Sequence, residues 1–215
     1  MGGRGRLAAS VAGLGAALAL AGCVAPDAGQ RSEFLGDVSR LELVRGTEGY
    51  AAWVKPGAQL SRYTKVMLDP FEVRAAREPG VRPISPADVA RLETYFRQFV
   101  MMAVNDAYPV VGTAAPDVLR VRAAITGLRT APAGQAASDG LEVALSLAGA
   151  RIESEYRDSV TGERLAAVVD QRDGRQAVTH RSVVASWSEA EAALEAWARL
   201  IRARIDMLHR QTAAR

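Results

Sequence analysis

The chain has 215 residues, with 27 lysines and arginines against 24 aspartates and glutamates and a formal net charge of +3. That near balance removes the electrostatic case for nucleic acid, which calls for a strongly basic patch or stripe. The single cysteine, Cys23, rules out an intrachain disulfide.

Arg4 and Arg6 precede an apolar run from Leu7 to Leu20, and the run ends in Leu20-Ala21-Gly22-Cys23. This is the plan of a secretory signal peptide. About 14 apolar residues fall short of the roughly 20 that a spanning helix needs. The Leu-Ala-Gly-Cys stretch resembles the lipobox of bacterial lipoproteins. That resemblance implies diacylglycerylation of the Cys23 thiol, cleavage before it and acylation of the new amino group. It also gives a lone thiol in an exported chain a use. Two or three acyl chains would anchor the protein stably where one would not. Val24 rather than aspartate follows the cysteine, which by the same resemblance implies the outer membrane, facing the periplasm. Loss of residues 1–22 removes Arg4 and Arg6 and no acid, so the mature chain is close to neutral.

Residues 23–33 form the lipidated cysteine and a tether rich in small, polar and turn-forming residues. Ten flexible residues span roughly 17 Å on average and about 33 Å at full stretch. Residues 34–215 read as one periplasmic domain with an N-terminal arm, 34–62. Within the arm, the apolar residues Phe34, Leu35, Val38 and Leu41 predict one or two helical turns. Tyr50 and Trp53 either line a ligand groove or fasten the arm to the core, and Pro56-Gly57 marks a turn.

Tyr63–Val73 predicts the first strand, with Pro70 at its end or on an edge. Ser85-Pro86-Ala87-Asp88 predicts a helix start. Val89, Leu92, Phe96, Phe99, Ala103 and Ala107 then give the helix one buried face, and Pro109 stops it. Val110–Gly112 predicts a short second strand. Val118–Gly127 predicts a third, where Leu119, Val121, Ala123 and Ile125 alternate with Arg120 and Arg122. Residues 130–140 read as a loop, and 141–148 fit strand or helix. From Ala150 the period of two returns. Ala150, Ile152, Ser154 and Tyr156 face inward, and Arg151, Glu153, Glu155 and Arg157 face a solvated outer side. Asp158 to Glu163 predicts a hairpin turn with Gly162 at positive φ, and Leu165–Asp170 is the return strand. Residues 172–185 give no clear signal. Ser188 and Glu191 predict a capping box for a final helix to about His209, with Ala190, Leu194, Trp197, Ile201, Ile205 and Leu208 buried.

The expected fold is α+β: a mixed, mostly antiparallel sheet of about five strands with two main helices packed on it. The element order resembles the amino-terminal domain of TolB and the periplasmic core of curli-secretion lipoproteins, which implies a scaffolding or assembly role by analogy of fold.

Residues suited to chemistry are few. His180 and His209 are far apart and have no neighbour at metal-ligand spacing. There is no glycine-rich phosphate loop and no nucleophile elbow. Asp69 reads as a turn acceptor before Pro70. Glu153, Glu155 and Asp158 form a carboxylate group, but Arg151 and Arg157 are interleaved with it, as on a solvated sheet face with cross-strand pairs. The candidate partner surface combines Trp53 in the arm, Arg120 and Arg122 on the third strand, Glu153 and Glu155 on the hairpin, and Asp158, Thr161 and Gly162 at its turn.

Three stretches carry a further resemblance: Phe34-Leu35-Gly36-Asp37 with Ser39-Arg40-Leu41; Tyr63 to Pro70; and Glu153 to Ala167. They resemble a bacterial lipoprotein family catalogued as domain of unknown function 3313, over most of the mature chain. Val38 stands where that pattern suggests an aromatic residue. The family has no established activity, so the resemblance implies no catalytic residue. The expected function is a lipid-anchored envelope protein with a non-catalytic, partner-binding or scaffolding domain, without cofactor, metal or nucleic acid. The alternatives are an envelope hydrolase using Asp69 or Glu155, and a carrier of a small apolar ligand.

Overall fold

The computed structural model describes residue 32 and residues 34–47, 50–77, 79–170 and 183–213. The signal peptide, Cys23 with most of the tether, and His180 lie outside the described residues. In chain order the elements are β1 (Glu42–Thr47), β2 (Tyr50–Val54), a short 3-10 turn (Leu60–Arg62), β3 (Lys65–Leu68), β4 (Glu72–Ala75) and α1 (Pro86–Val104). They continue with β5 (Val118–Thr130), β6 (Leu145–Ser146), β7 (Arg151–Asp158), β8 (Arg164–Asp170), β9 (Val183–Val184) and α2 (Trp187–Ala213).

The nine strands among the described residues join in the order β1-β2-β8-β7-β5-β6-β9, with β3 and β4 both pairing in parallel with β5. The other pairings are antiparallel. The mixed sheet and the two helices agree with the expected class, but the strand count exceeds the expected five. Much of the excess comes from the arm, where β1 and β2 pair and β2 inserts beside β8. The sequence hides β2 because it does not alternate: Tyr50, Ala51, Ala52, Trp53 and Val54 are all buried. Tyr50, Ala52 and Val54 belong to the large core, while Ala51 and Trp53 belong to a second cluster on the opposite face. A strand covered on both faces carries no polar face to read. The 110–112 strand reduces to one bridge between Val66 and Val110.

The main core lies between the helices and one face of the sheet. Leu92, Phe96, Val100 and Val104 of α1 join Leu194, Trp197, Ile201 and Ile205 of α2 over Leu119, Val121 and Ile125. Ser85 caps α1 as expected, its hydroxyl accepting from the Asp88 amide at 3.1 Å. The α2 cap differs from expectation. Ser186 accepts from the Glu189 amide at 3.3 Å, and the Glu189 carboxylate accepts from the Ala185 amide at 2.7 Å. The capping box therefore sits two residues ahead of Ser188 and Glu191. Burial of Trp187 in the first turn, edge-on to Tyr95 and under the Arg91 guanidinium, draws the start forward. The last turn of α1 has no basic residue of its own. Arg202 of α2 supplies the cation, donating to the Ala103 carbonyl at 3.0 Å.

Two backbone features position the rest. Gly127 has φ +70, and the β4–β5 register slips at the same point, with Arg74 opposite Thr126 and Ala75 opposite Leu128. This bulge turns β5 away from β4 and β7 and onto β6. On β4, the Val73 amide donates to the Glu93 carboxylate of α1 at 2.9 Å rather than to a strand.

Candidate functional site

The sheet face turned away from the helices is charged and covered. Along β5 it shows Arg120, Arg122, Ala124 and Thr126. The β7 register places Arg157, Glu155, Glu153 and Arg151 opposite them in that order. On the next strand, β8, Arg164 stands opposite Arg157 and Ala167 opposite Glu155. Asp69 follows β3, and Glu72 and Arg74 come from β4. Glu155 is fully enclosed and accepts from Arg157, from Arg164 at 3.2 Å and from Arg122 at 3.5 Å. Arg120 holds both oxygens of Asp69 through its Nε, at 2.8 and 3.0 Å. Glu153, also buried, accepts from the Thr126 hydroxyl at 2.7 Å and from the Ser32 hydroxyl.

A strap formed by residues 34–41 lies on this face. Phe34 and Leu35 pack with Ala51, Trp53, Ala124 and Ala167, with Val38 and Leu41 beside them. The predicted helical turns are tight turns instead. Ser32 accepts from the Phe34 and Leu35 amides, Gly36 takes φ +63, and the Asp37 carboxylate accepts from the Ser39 amide at 2.8 Å. Short-range side-chain bonds of this kind compete with helix formation. Arg164 fastens the strap, donating to the Leu35 carbonyl at 2.8 Å and to the Asp37 carbonyl at 2.7 Å. The Phe34 ring lies near the guanidinium groups of Arg122, at 5.0 Å, and Arg74, at 5.3 Å.

The hairpin turn is pinned in the same way. Asp158 accepts from the amides of Val160 and Thr161 through one oxygen, and from the Tyr63 hydroxyl and Arg62 through the other, each at 2.7 Å. Burial pushes its carboxyl up, but the Thr161 amide, the Tyr63 hydroxyl and the Val160 amide outweigh burial and hold it down at about 2. Burial first, then Asp158, pushes the Tyr63 hydroxyl up to about 12. Gly162 has φ +71, as the turn predicts.

The candidate surface residues are therefore brought together, but not as a solvated face. Glu153, Glu155 and Asp158 are buried, and Trp53 lies under the strap. The arginines enclose the acids, and the strap excludes water. Arg120, Arg122, Thr161 and Gly162 retain exposure. Asp69 serves as an arginine partner beyond any role in the turn. Sequence reasoning missed Arg164, Tyr63, Arg62 and Ser32. The signal for Arg164 and Tyr63 was present in the three family-like stretches, which meet in space here. His209, on the other side of the sheet, stacks edge-on against Tyr108 at 4.9 Å, and burial pushes its imidazole down despite Asp206. An apolar crevice among Leu92, Leu128, Leu145, Leu194 and Trp197 has room for about one water, too little for an acyl chain.

The family model described as "Protein of unknown function (DUF3313)" matches residues 30–201. The uncharacterized lipoprotein YdcL of Escherichia coli K12 is 28% identical over 186 residues, covering 78% of this chain and 82% of that protein. Protein XCC0632 of Xanthomonas campestris, from the family DUF330, aligns with a TM-score of 0.38 at 11% identity over 70% of this chain and 88% of that one. The PelC dodecamer of Paraburkholderia phytofirmans aligns with a TM-score of 0.33 at 12% identity over 71% and 95%. Both structures are distant likenesses.

Proposed function

We propose that this chain, which belongs to the DUF3313 family of proteins of unknown function, is a lipid-anchored envelope protein whose domain binds a partner or acts as a scaffold. The anchor is Cys23, and the domain faces the periplasm from the outer membrane. The relative YdcL is named a lipoprotein, and Val24 after the cysteine favours the outer membrane. The resemblance to TolB drawn from the sequence points to a scaffolding role by analogy of fold.

One observation carries the non-catalytic reading. The carboxylates best placed for acid–base work already have their oxygens engaged: Glu155 by three arginines, Asp69 by Arg120, and Asp158 by Tyr63, Arg62 and two amides. A general base must reach its substrate, and Glu155 and Asp158 are buried beneath their partners. Glu155 and Asp158 hold the strap and the hairpin, and Asp69 holds Arg120.

Two measurements test the proposal. Cys23→Ser is expected to abolish incorporation of labelled fatty acid, and retained label overturns the anchor. Asp69→Asn, at normal abundance, is expected to complement a deletion strain fully. Loss of function in that variant, together with turnover of an envelope substrate by the purified protein, overturns the binding reading in favour of a hydrolase.

A further inference from the structure

The arginines under and beside the strap carry more charge than their partners cancel. Arg120 stands opposite Arg157, and Arg157 stands opposite Arg164, so three arginines form one row across β5, β7 and β8. Like charges directly opposite one another destabilise a sheet. Among the described residues, Arg74, Arg120, Arg122, Arg157 and Arg164 share the carboxylates of Asp69, Glu72 and Glu155 alone. The network is left with two positive charges in excess. The strap and the hairpin supply carbonyls to Arg164 and Arg157, which satisfy donors without neutralising charge. Donors also remain. Arg120 uses only its Nε, with its terminal nitrogens unbonded among the described residues, and its side chain is 42% exposed. Among the described residues, the buried Nε of Arg164 has no partner.

We propose that this row is a binding site for a phosphate group. Arg120 and Arg157 present N–H donors, and Arg122 and Arg164 add field strength. A planar guanidinium presents paired N–H donors that match phosphate oxygens, and a phosphate would relieve the like-charge row. The phosphate belongs either to a soluble ester or to the headgroup of an anionic membrane lipid. The second source is within reach. Ser32 contacts Glu153, four residues from Arg157 along β7, about 13 Å. Cys23 lies nine residues before Ser32, at most about 32 Å of chain. The site goes beyond the proposed partner-binding role and requires only the arginine row, while its lipid source rests on the proposed Cys23 anchor.

The test uses the full lipidated chain in neutral detergent micelles and follows its thermal unfolding midpoint. One arm adds inorganic phosphate, against sodium chloride of equal ionic strength. The other dopes the micelles with phosphatidylglycerol, against phosphatidylcholine. A rise with inorganic phosphate, with or without a lipid effect, assigns a soluble phosphate. A rise with phosphatidylglycerol alone assigns a lipid headgroup. In either case Arg120→Gln is expected to weaken binding of the responding probe roughly tenfold. Arg199→Gln, which removes an equal charge from an exposed pair on α2, should leave it unchanged. No response in either arm, a full response in Arg120→Gln, or an equal loss in Arg199→Gln overturns the site.

Discussion

Leu119, Val121, Ala123 and Ile125 of β5 lie under two helices, while Arg120, Arg122, Ala124 and Thr126 of the same strand face the strap. The first face is closed to water throughout, and the second is closed over Glu153 and Glu155 while Arg120 and Arg122 stay partly exposed at its margin. The first is closed by dispersion and the removal of apolar area. The second is closed by ion pairs that offset the desolvation of the enclosed carboxylates, and by a few apolar residues of the strap laid across them. The two should fail differently. An apolar core loses stability roughly with the volume removed. A buried charge network is most costly when one partner goes and the others remain unpaired.

The largest expected effect breaks the helix-covered face. Phe96 is fully buried and 5.1 Å from the Phe71 ring. Phe96→Ala should cost about 3–5 kcal/mol and lower the melting temperature by roughly 10 °C, without opening the strap. Glu155→Gln is the counterpart on the other face, with an expected cost of about 3 kcal/mol. Because Arg164 loses its carboxylate, the strap should also loosen, so trypsin should cut after the exposed Arg40 sooner than in Phe96→Ala. Equal rates of cutting in both variants would mean that the faces are not separate units.

A pH titration sharpens the comparison next. The Asp158 carboxyl sits at about 2 in the folded chain, against an ordinary value of 3.8. The folded state therefore favours the ionised form. That stabilisation is complete above the ordinary value and disappears as pH falls from about 4 through 2, a loss of about 2 kcal/mol. Asp158→Asn should flatten this part of the acid-unfolding curve. Phe96→Ala should shift the curve without changing its slope there. The smallest effect is local. Gly162→Val meets open space but must adopt φ +71, which should cost about 1 kcal/mol. An unchanged melting temperature would show that the turn relaxes around the side chain.

The same contrast explains what could be read from the sequence. The stripes of α1 and α2 and the alternation of β5 and β7 report apolar burial, although α1 ends at Val104 and buries Val100 and Val104 where Phe99, Ala103 and Ala107 were expected, and β5 continues to Thr130. Glu153 and Glu155 alternate just as regularly, but their period gives only the side of the sheet they share. Whether that side is wet depends on Phe34 and Leu35, more than a hundred residues away. Trp53 read as part of an arm because β2 has no polar face. Gly127 marked the end of a strand and not a bend within one, because the oxygen that excludes a side chain there, 2.7 Å from a would-be Cβ, belongs to Gly149.

The Glu93 carboxylate that accepts from the Val73 amide has a consequence for crowding. An open strand margin invites pairing with a neighbouring chain, and molecules confined to a surface meet often. At Val73 the margin is closed by one side chain from a helix, with no strand covering it among the described residues. Such closure leaves the sheet unextended while it holds, yet depends on a single acid. A chain lacking that acid would leave the Val73 amide without an acceptor at a strand margin, the place where pairing with a second copy would begin.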